Sequence, residues 1–212
     1  MIRSLNVPLV DFVTRDLDTA LEMDGARFCV DTVNWPAQYP YAPICNGPLA
    51  RTADALVVDF RVSGLDLRIQ NLTDNGRQWE DSCVEFFVQD PDGSVYYNFE
   101  INPLGKVLAC SGPDRHHRTP RPPEEMEQIL RIADYSEGPM DCEGGVWTWR
   151  VVLLIPFHLI GVNPEHLPAA LKANFYKCGD HTAHPHYVSW SPIDTPEPDF
   201  HRPECFGTLH LL

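Results

Sequence analysis

Glu85 and Glu100 are the two side chains of this sequence whose setting most plainly suggests chemistry. Each lies in a run where polar and apolar residues alternate, Ser82 to Gln89 and Tyr96 to Asn102, and Asp90-Pro91-Asp92-Gly93 joins the runs. Pro fixes one φ and Gly accepts a positive one, so the junction reads as the turn of a β-hairpin. Side chains alternate across a strand. Val84, Phe86 and Val88 therefore share a core face with Tyr97, Phe99 and Ile101, while Glu85, Asn98, Glu100 and Asn102 form a polar row pointing outward. Two carboxylates on adjacent strands of one face could act as an acid and base pair for glycoside hydrolysis if correctly separated. The favoured reading is that they accept hydrogen bonds from sugar hydroxyls or pair with Arg and Lys.

Other groups with chemical capacity are scattered along the chain. Trp79, beside Asn75, Gly76 and Arg77, lies in a loop mouth, where a large ring is better explained by ligand stacking than by core packing. Trp147, Trp149 and Trp190 lie inside alternating runs and read as core, although Trp190 could also line a site; Trp35, between Asn34 and Pro36, reads as a lid over the sandwich edge. Asp180-His181-Thr182-Ala183-His184-Pro185-His186 has spacings that could chelate a transition metal, but histidines so placed more often bond to backbone. His116 and His117, flanked by Arg115 and Arg118, read as a solvated basic loop. Seven widely spaced cysteines with no CxxC pair are expected to be free thiols.

These groups must be positioned mainly by strands. Alternation marks Ala55 to Val62, Leu65 to Gln70, Ser82 to Gln89, Tyr96 to Asn102, Val146 to Ile155, Lys172 to Cys178, Tyr187 to Trp190 and Gly207 to Leu211. In Lys172 to Cys178, Ala173 and Phe175 look like core, Asn174 and Tyr176 look outward, and Lys177 breaks the pattern. Helical periodicity is confined to about Leu17 to Met23, a turn at Phe157 to Ile160, and Glu124 to Ile129 behind Pro122 and Pro123. The expected fold is all-β: an antiparallel β-sandwich or jelly roll with short helical turns, one domain over residues 1–212 with residues 1–50 as a strand and extended segment packed on it. Three loops rich in Pro, with Arg, His or Asp, at Gly112 to Pro123, Thr182 to His186 and Pro192 to Pro203, are where binding groups tend to sit.

With 30 Asp and Glu against 16 Lys and Arg, the formal net charge of -14 repels nucleic acid and anionic membrane surfaces as main partners. Neither a signal-peptide core in residues 1–12 nor an apolar run of about 18 residues is apparent. As written, the sequence points to the cytoplasm; a signal removed upstream would place it in the periplasm or outside the cell.

Three segments carry a family resemblance: Trp79-Glu80-Asp81-Ser82-Cys83-Val84-Glu85-Phe86-Phe87, Tyr97-Asn98-Phe99-Glu100-Ile101-Asn102, and Ser189-Trp190-Ser191 followed by Phe200 through Leu209. In this order they resemble the family 9 carbohydrate-binding modules, particularly stand-alone bacterial members. The resemblance implies an aromatic slot that grips a terminal ring of a mono- or oligosaccharide, with Trp79 as one wall and Phe200, where the family has Trp, as the other. A Phe stacks on less area than a Trp, which implies weaker or altered affinity. The resemblance further implies polar rim contacts from Glu85, Asn98, Glu100, Asn102 and Asn174, a structural calcium and no catalysis. Glu100 stands where the family has Arg, so the detailed hydrogen-bond pattern does not carry over. Asp90, Asp92 and the Asp194 to Asp199 loop could each supply only some of the six to eight oxygens that calcium takes. Two other classes remain open: a small glycoside hydrolase using Glu85 or Glu100, and a haem- or protein-binding sandwich, of which haem would need an axial His or Met in the pocket.

Overall fold

The computed structural model describes residues 2–12 and 14–212. Among them the chain runs through β1 (Ser4–Val7), α1 (Leu17–Asp24), β2 (Ala26–Cys29), β3 (Thr32–Val33), β4 (Ile44–Arg51), β5 (Ala55–Ile69), β6 (Cys83–Gln89), β7 (Tyr96–Ile101), β8 (Val107–Gly112) and β9 (Thr119–Pro120). It continues through α2 (Pro123–Met126), β10 (Leu130–Ala133), β11 (Met140–Pro156), β12 (Ala170–Cys178), β13 (Tyr187–Ser189) and β14 (Gly207–Leu211). The larger sheet has the order β1-β14-β12-β6-β7-β8-β9, with β13 paired to β12 and β3 to β13; the smaller has the order β10-β11-β5-β4-β2.

The hairpin forms as its turn chemistry dictates. Gly93 adopts φ 78°, its N–H donates to Asp90 O at 3.1 Å, and Ser94 N donates to Asp92 Oδ1 at 2.9 Å. That turn sets a register in which Glu85 stands opposite Glu100, Phe86 opposite Phe99 and Phe87 opposite Asn98. Val84, Phe86, Val88, Tyr97, Phe99 and Ile101 then face the smaller sheet and meet Val58, Phe60, Val62, Val151, Leu153 and Ile155 in one core. Phe175 of β12 stacks on Phe28 with ring centroids 4.3 Å apart and lies 5.2 Å from Phe86. Each such buried side chain contributes roughly 1.5–3 kcal/mol, the main favourable term against the chain entropy lost on folding.

Both outer faces are covered as well. Over the smaller sheet lies α1, capped by Asp16, whose carboxylate accepts from Thr19 N at 2.9 Å; its Leu21 packs on Val57 and Val152. Over the larger sheet lie the loop segments carrying Trp35, Ile193, Phe200 and Phe206, which pack against Phe87, Tyr96 and Tyr176 in a second aromatic cluster. The polar row is therefore not solvent-facing as alternation suggested: Glu85, Asn98, Glu100 and Asn102 are at most 3% exposed. Tyr176 is likewise fully buried on this face, and its hydroxyl donates to Phe200 O.

Other departures from the sequence expectation have local causes. Ala55 to Val62 and Leu65 to Gln70 form one continuous strand through Gly64, and β11 reaches back past Gly144 and Gly145, both at positive φ, with a register shift between Glu143 and Trp147. The helix expected at Glu124 to Ile129 is only the single turn α2, followed by the edge strand β10. Residues 1–50 do more than pack on the sandwich: β1 pairs in parallel with β14, and β2 and β4 extend the smaller sheet. Lys177 keeps to the core side of β12 and ends its buried stem in bonds from Nζ to Cys178 O, at 2.6 Å, and to His186 Nε2, at 2.8 Å.

Candidate functional site

A cavity of about 210 Å³ opens on the outer face of the larger sheet. From the strands, Glu85 of β6, Glu100 of β7 and Cys178 of β12 reach it; Trp79, Tyr187 and Phe200 supply rings. Arg115 and Arg118 enter from the loop after β8, Asp180 from the end of β12, and Asp199 and His201 from either side of Phe200.

The rings are held in place by the fold. Trp79 sits in a 3-10 turn over Gln78–Glu80, and its carbonyl accepts from Asp180 N at 3.1 Å. Behind that turn Asp81, fully buried, accepts from Gln70 N, Asn71 N and Asn102 Nδ2, each at 3.0 Å. Phe200 lies flat against Tyr176, ring centroids 4.2 Å apart at 8°. One face of Phe200 is thus already stacked, and the residue is only 7% exposed. Trp35, read as a lid, packs beside it at 6.4 Å and donates its indole N–H to Thr195 O.

The polar floor is less well provided for. Glu85 accepts from Cys178 Sγ at 3.1 Å, and burial, reinforced by the neighbouring Glu100 charge, holds its carboxyl well above the usual carboxylate range. Glu100 accepts from Asn98 Nδ2 at 3.0 Å, and burial lifts it to about 7 against the opposing pull of Arg118. Arg118 approaches Glu100 Oε1 at 3.5 Å, too long for a well-formed hydrogen bond, and its buried Nη1 finds no hydrogen-bond partner among the described residues. Asn98 Oδ1, also buried, is in the same position. Burial raises Asp180 as well, while burial and the Arg118 and Arg115 charges push His201 down to about 2, so that its neutral ring bonds Tyr96 Oη at 2.9 Å. Buried polar atoms without partners cost about 1–3 kcal/mol each; of these two residues only Arg118 lines the cavity, where a ligand hydroxyl could accept from it.

Of the residues the sequence singled out, Trp79, Glu85, Glu100 and Phe200 line the cavity, and Asn98 stands directly behind Glu100. The other three do not line it. Asn102 donates to Asn71 O and Asp81 Oδ2 and accepts from Leu104 N and Lys106 N, which fixes the loop that carries Trp79. Asn174 is spent on the backbone of Ser191, donating to its O and accepting from its N. Trp190 is core: it meets Phe175 edge-on at 5.4 Å and lies so close to Gly207 that a Cβ there would sit 2.2 Å from its ring.

Arg115, Arg118, Cys178, Tyr187 and His201 also line the cavity without having stood out in the sequence as site residues, and Asp180 and Asp199, which had stood out only as possible metal ligands, line it too. Their one signal was position, since several lie in or beside the Pro-rich loops. The histidine run is dispersed: His184 pairs with Asp66 at 3.0 Å, His186 with Lys177, and His181 approaches Glu80 at 3.8 Å. Asp90 and Asp92 are held by the hairpin turn, and Asp199 by Arg115, Arg202 and His201 N, so these carboxylates fit calcium poorly. All seven cysteines are free, and no helix among the described residues is long and apolar enough to cross a membrane.

Fold and cavity together define a class: a two-sheet sandwich with a ring-lined, carboxylate-floored pocket on one outer face. The chain belongs to carbohydrate-binding family 9, whose sequence profile matches residues 15–211. A candidate carbohydrate-binding protein from Bacteroides uniformis shares 32% identity with it, each chain covering 100% of the other, with a TM-score of 0.89. A family 9 carbohydrate-binding module from Caldicellulosiruptor kristjanssonii, solved in complex with glucose, shares 12% identity over 99% of this chain and 96% of that one, with a TM-score of 0.57. The same organism's module in complex with cellotriose gives 12% identity, 99% and 93% coverage and a TM-score of 0.55. At 12% identity these two show likeness of fold alone. No curated protein matches the chain.

Proposed function

We propose that the cavity binds a single sugar ring without transforming it, with Trp79 and the exposed edge of Phe200 on its C–H faces and Glu85, Glu100 and Arg118 taking its hydroxyls. The observation that carries this reading is the pairing of aromatic rings with two buried carboxyls, Glu85 and Glu100, and the unpartnered Arg118 Nη1 inside one small cavity. A pyranose has apolar faces and a polar rim, which is the complement of that lining. At about 210 Å³ the cavity is below the roughly 300–1,000 Å³ of sites for larger ligands, which suits one terminal ring rather than the interior of a chain. A porphyrin does not fit such a volume, and membership of a carbohydrate-binding family favours binding over hydrolysis by the Glu85 and Glu100 pair. Glucose and cellotriose bind the Caldicellulosiruptor modules and head the ligands to test.

The test is calorimetric titration of the protein and of Trp79→Ala with a panel of mono- and disaccharides, with and without calcium. A ring covering ~60 Å² of sugar contributes about 1.5 kcal/mol at about 25 cal/mol per Å², so the substitution should weaken binding by at least about tenfold. Binding that survives Trp79→Ala unchanged would remove the cavity from consideration.

A further inference from the structure

Cys83 and Cys178 lie 95 residues apart in sequence, yet they stand directly opposite each other on the antiparallel strands β6 and β12. Glu85, two residues along β6 from Cys83, shares their face. The two sulfurs and a carboxylate oxygen all lie within 4.8 Å of one another, and Cys178 Sγ is 3.1 Å from Glu85 Oε1. All three residues are buried, and Glu85 and Cys178 open onto the cavity. We propose that Cys83, Glu85 and Cys178 form a three-ligand site for zinc, with its fourth position facing the cavity.

Zinc takes sulfur at about 2.3 Å and carboxylate oxygen at about 2.0–2.2 Å in tetrahedral array, which sets neighbouring donors roughly 3.3–3.8 Å apart. The observed cluster is within about 1 Å of that spacing, a gap that side-chain rotation closes while the paired strands keep the backbone fixed. Two sulfurs and one oxygen select a borderline-soft ion and exclude calcium, which takes oxygen. Three ligands with one open position are the arrangement of zinc sites that accept an exogenous ligand, whereas purely structural sites are closed by a fourth protein donor. On binding, the protons of the two thiols and any proton carried by the Glu85 carboxyl are released to solvent, and the two sulfurs and one carboxylate oxygen bond to the ion; nothing is oxidised. Around the cavity the carboxyl groups of Glu85, Glu100, Asp180 and Asp199 outnumber the guanidinium groups of Arg115 and Arg118, a balance that favours a cation. The site does not depend on the sugar reading, and its test contains no sugar.

The test uses the full chain, stripped by chelator and kept reduced, titrated with cobalt(II) as a spectroscopic stand-in for zinc and then with zinc against a chromophoric indicator. The expected result is uptake of about one ion per chain with a sulfur-to-cobalt charge-transfer band and the strong visible bands of a tetrahedral site, both lost as zinc displaces cobalt. Cys83→Ser and Cys178→Ser should weaken uptake by at least about tenfold and diminish the charge-transfer band, whereas Glu85→Gln should weaken uptake and keep the band. Cys29→Ser, at an exposed cysteine, should change neither. Because a core substitution can unfold the chain, a second measurement uses the unaltered protein: in moderate urea, where local opening exposes both buried thiols, zinc should slow alkylation of Cys83 and Cys178 relative to the chelated protein, while Cys29 reacts equally in both. Absence of uptake, uptake indifferent to both serine substitutions, unprotected Cys83 and Cys178 in the presence of zinc, or a Cys83–Cys178 disulfide whose reduction restores no uptake would each overturn the proposal.

Discussion

The two outer faces of the sandwich both bury carboxylates, and they treat them in opposite ways. On the smaller sheet Asp59 is fully buried and accepts from Arg61 Nη2 at 2.7 Å and from Arg150 Nε at 3.0 Å, while Asp18 and Glu22 of α1 close the other sides of those guanidinium groups. On the larger sheet Glu85 has a thiol for a partner and Glu100 an amide, the nearest guanidinium stands at 3.5 Å, and both carboxyls are pushed upward by burial. A charge taken from water and fully paired is structural; a charge left underpaired beside a cavity is held ready for something else. The difference separates the part of the molecule that holds the helix on from the part that meets a ligand.

Substitutions on the two faces should have different consequences. Asp59→Ala should have the largest effect on stability, about 2–3 kcal/mol by urea unfolding, toward the low end for a broken buried pair because Arg61 and Arg150 are partly exposed and can rehydrate. Its sugar affinity should be unchanged. Asn102→Ala should cost about 1–3 kcal/mol, since Asp81 and Asn71 each lose a buried partner, and should also weaken sugar binding by freeing the loop beneath Trp79. A variant that loses stability and keeps full affinity would detach that loop from the site.

The smallest effects sharpen the contrast best. Glu100→Gln keeps the shape and removes an underpaired buried charge, so at pH 8 it should leave melting temperature unchanged or raise it slightly while weakening sugar binding; destabilisation comparable with Asp59→Ala would mean that Glu100 is a structural partner after all. Its pH signature follows from the raised carboxyl. The folded chain holds a proton on Glu100 that the unfolded chain, titrating near the ordinary glutamate value of about 4.3, has already released. The stability this contributes is complete below that value and is lost as pH rises through about 7. Melting of metal-free protein should therefore fall between pH 5 and pH 8 by more than in Glu100→Gln, and equal slopes would contradict the assignment.

Much of the larger sheet could be read in advance because its signals are local. Asp90-Pro91-Asp92-Gly93 and the alternation around it give the hairpin, its register and the shared face of Glu85 and Glu100. Burial of that face could not be read, because the covering groups, Trp35, Ile193, Phe200 and Phe206, come from distant loops. Asn174 and Asn102 look like any outward polar residue until their partners, Ser191 and Asp81, are placed beside them. Cys178 is the plainest case: seven scattered cysteines suggest nothing until β12 pairs with β6 and sets one opposite Cys83. On the smaller sheet, β4 escaped notice because Gly47 and Pro48 interrupt its pattern, yet Gly47 is needed where the strand crosses Asp59, since a Cβ would sit 1.7 Å from that carbonyl oxygen.

The most direct test of the central claim is a crystal structure of the protein grown with glucose. One ring should occupy the outer-face cavity of the larger sheet, its C–H face on Trp79 and its hydroxyls on Glu85, Glu100 and Arg118. Glucose bound elsewhere on the molecule, or an unchanged cavity in crystals grown at glucose concentrations that saturate the protein in solution, would contradict it.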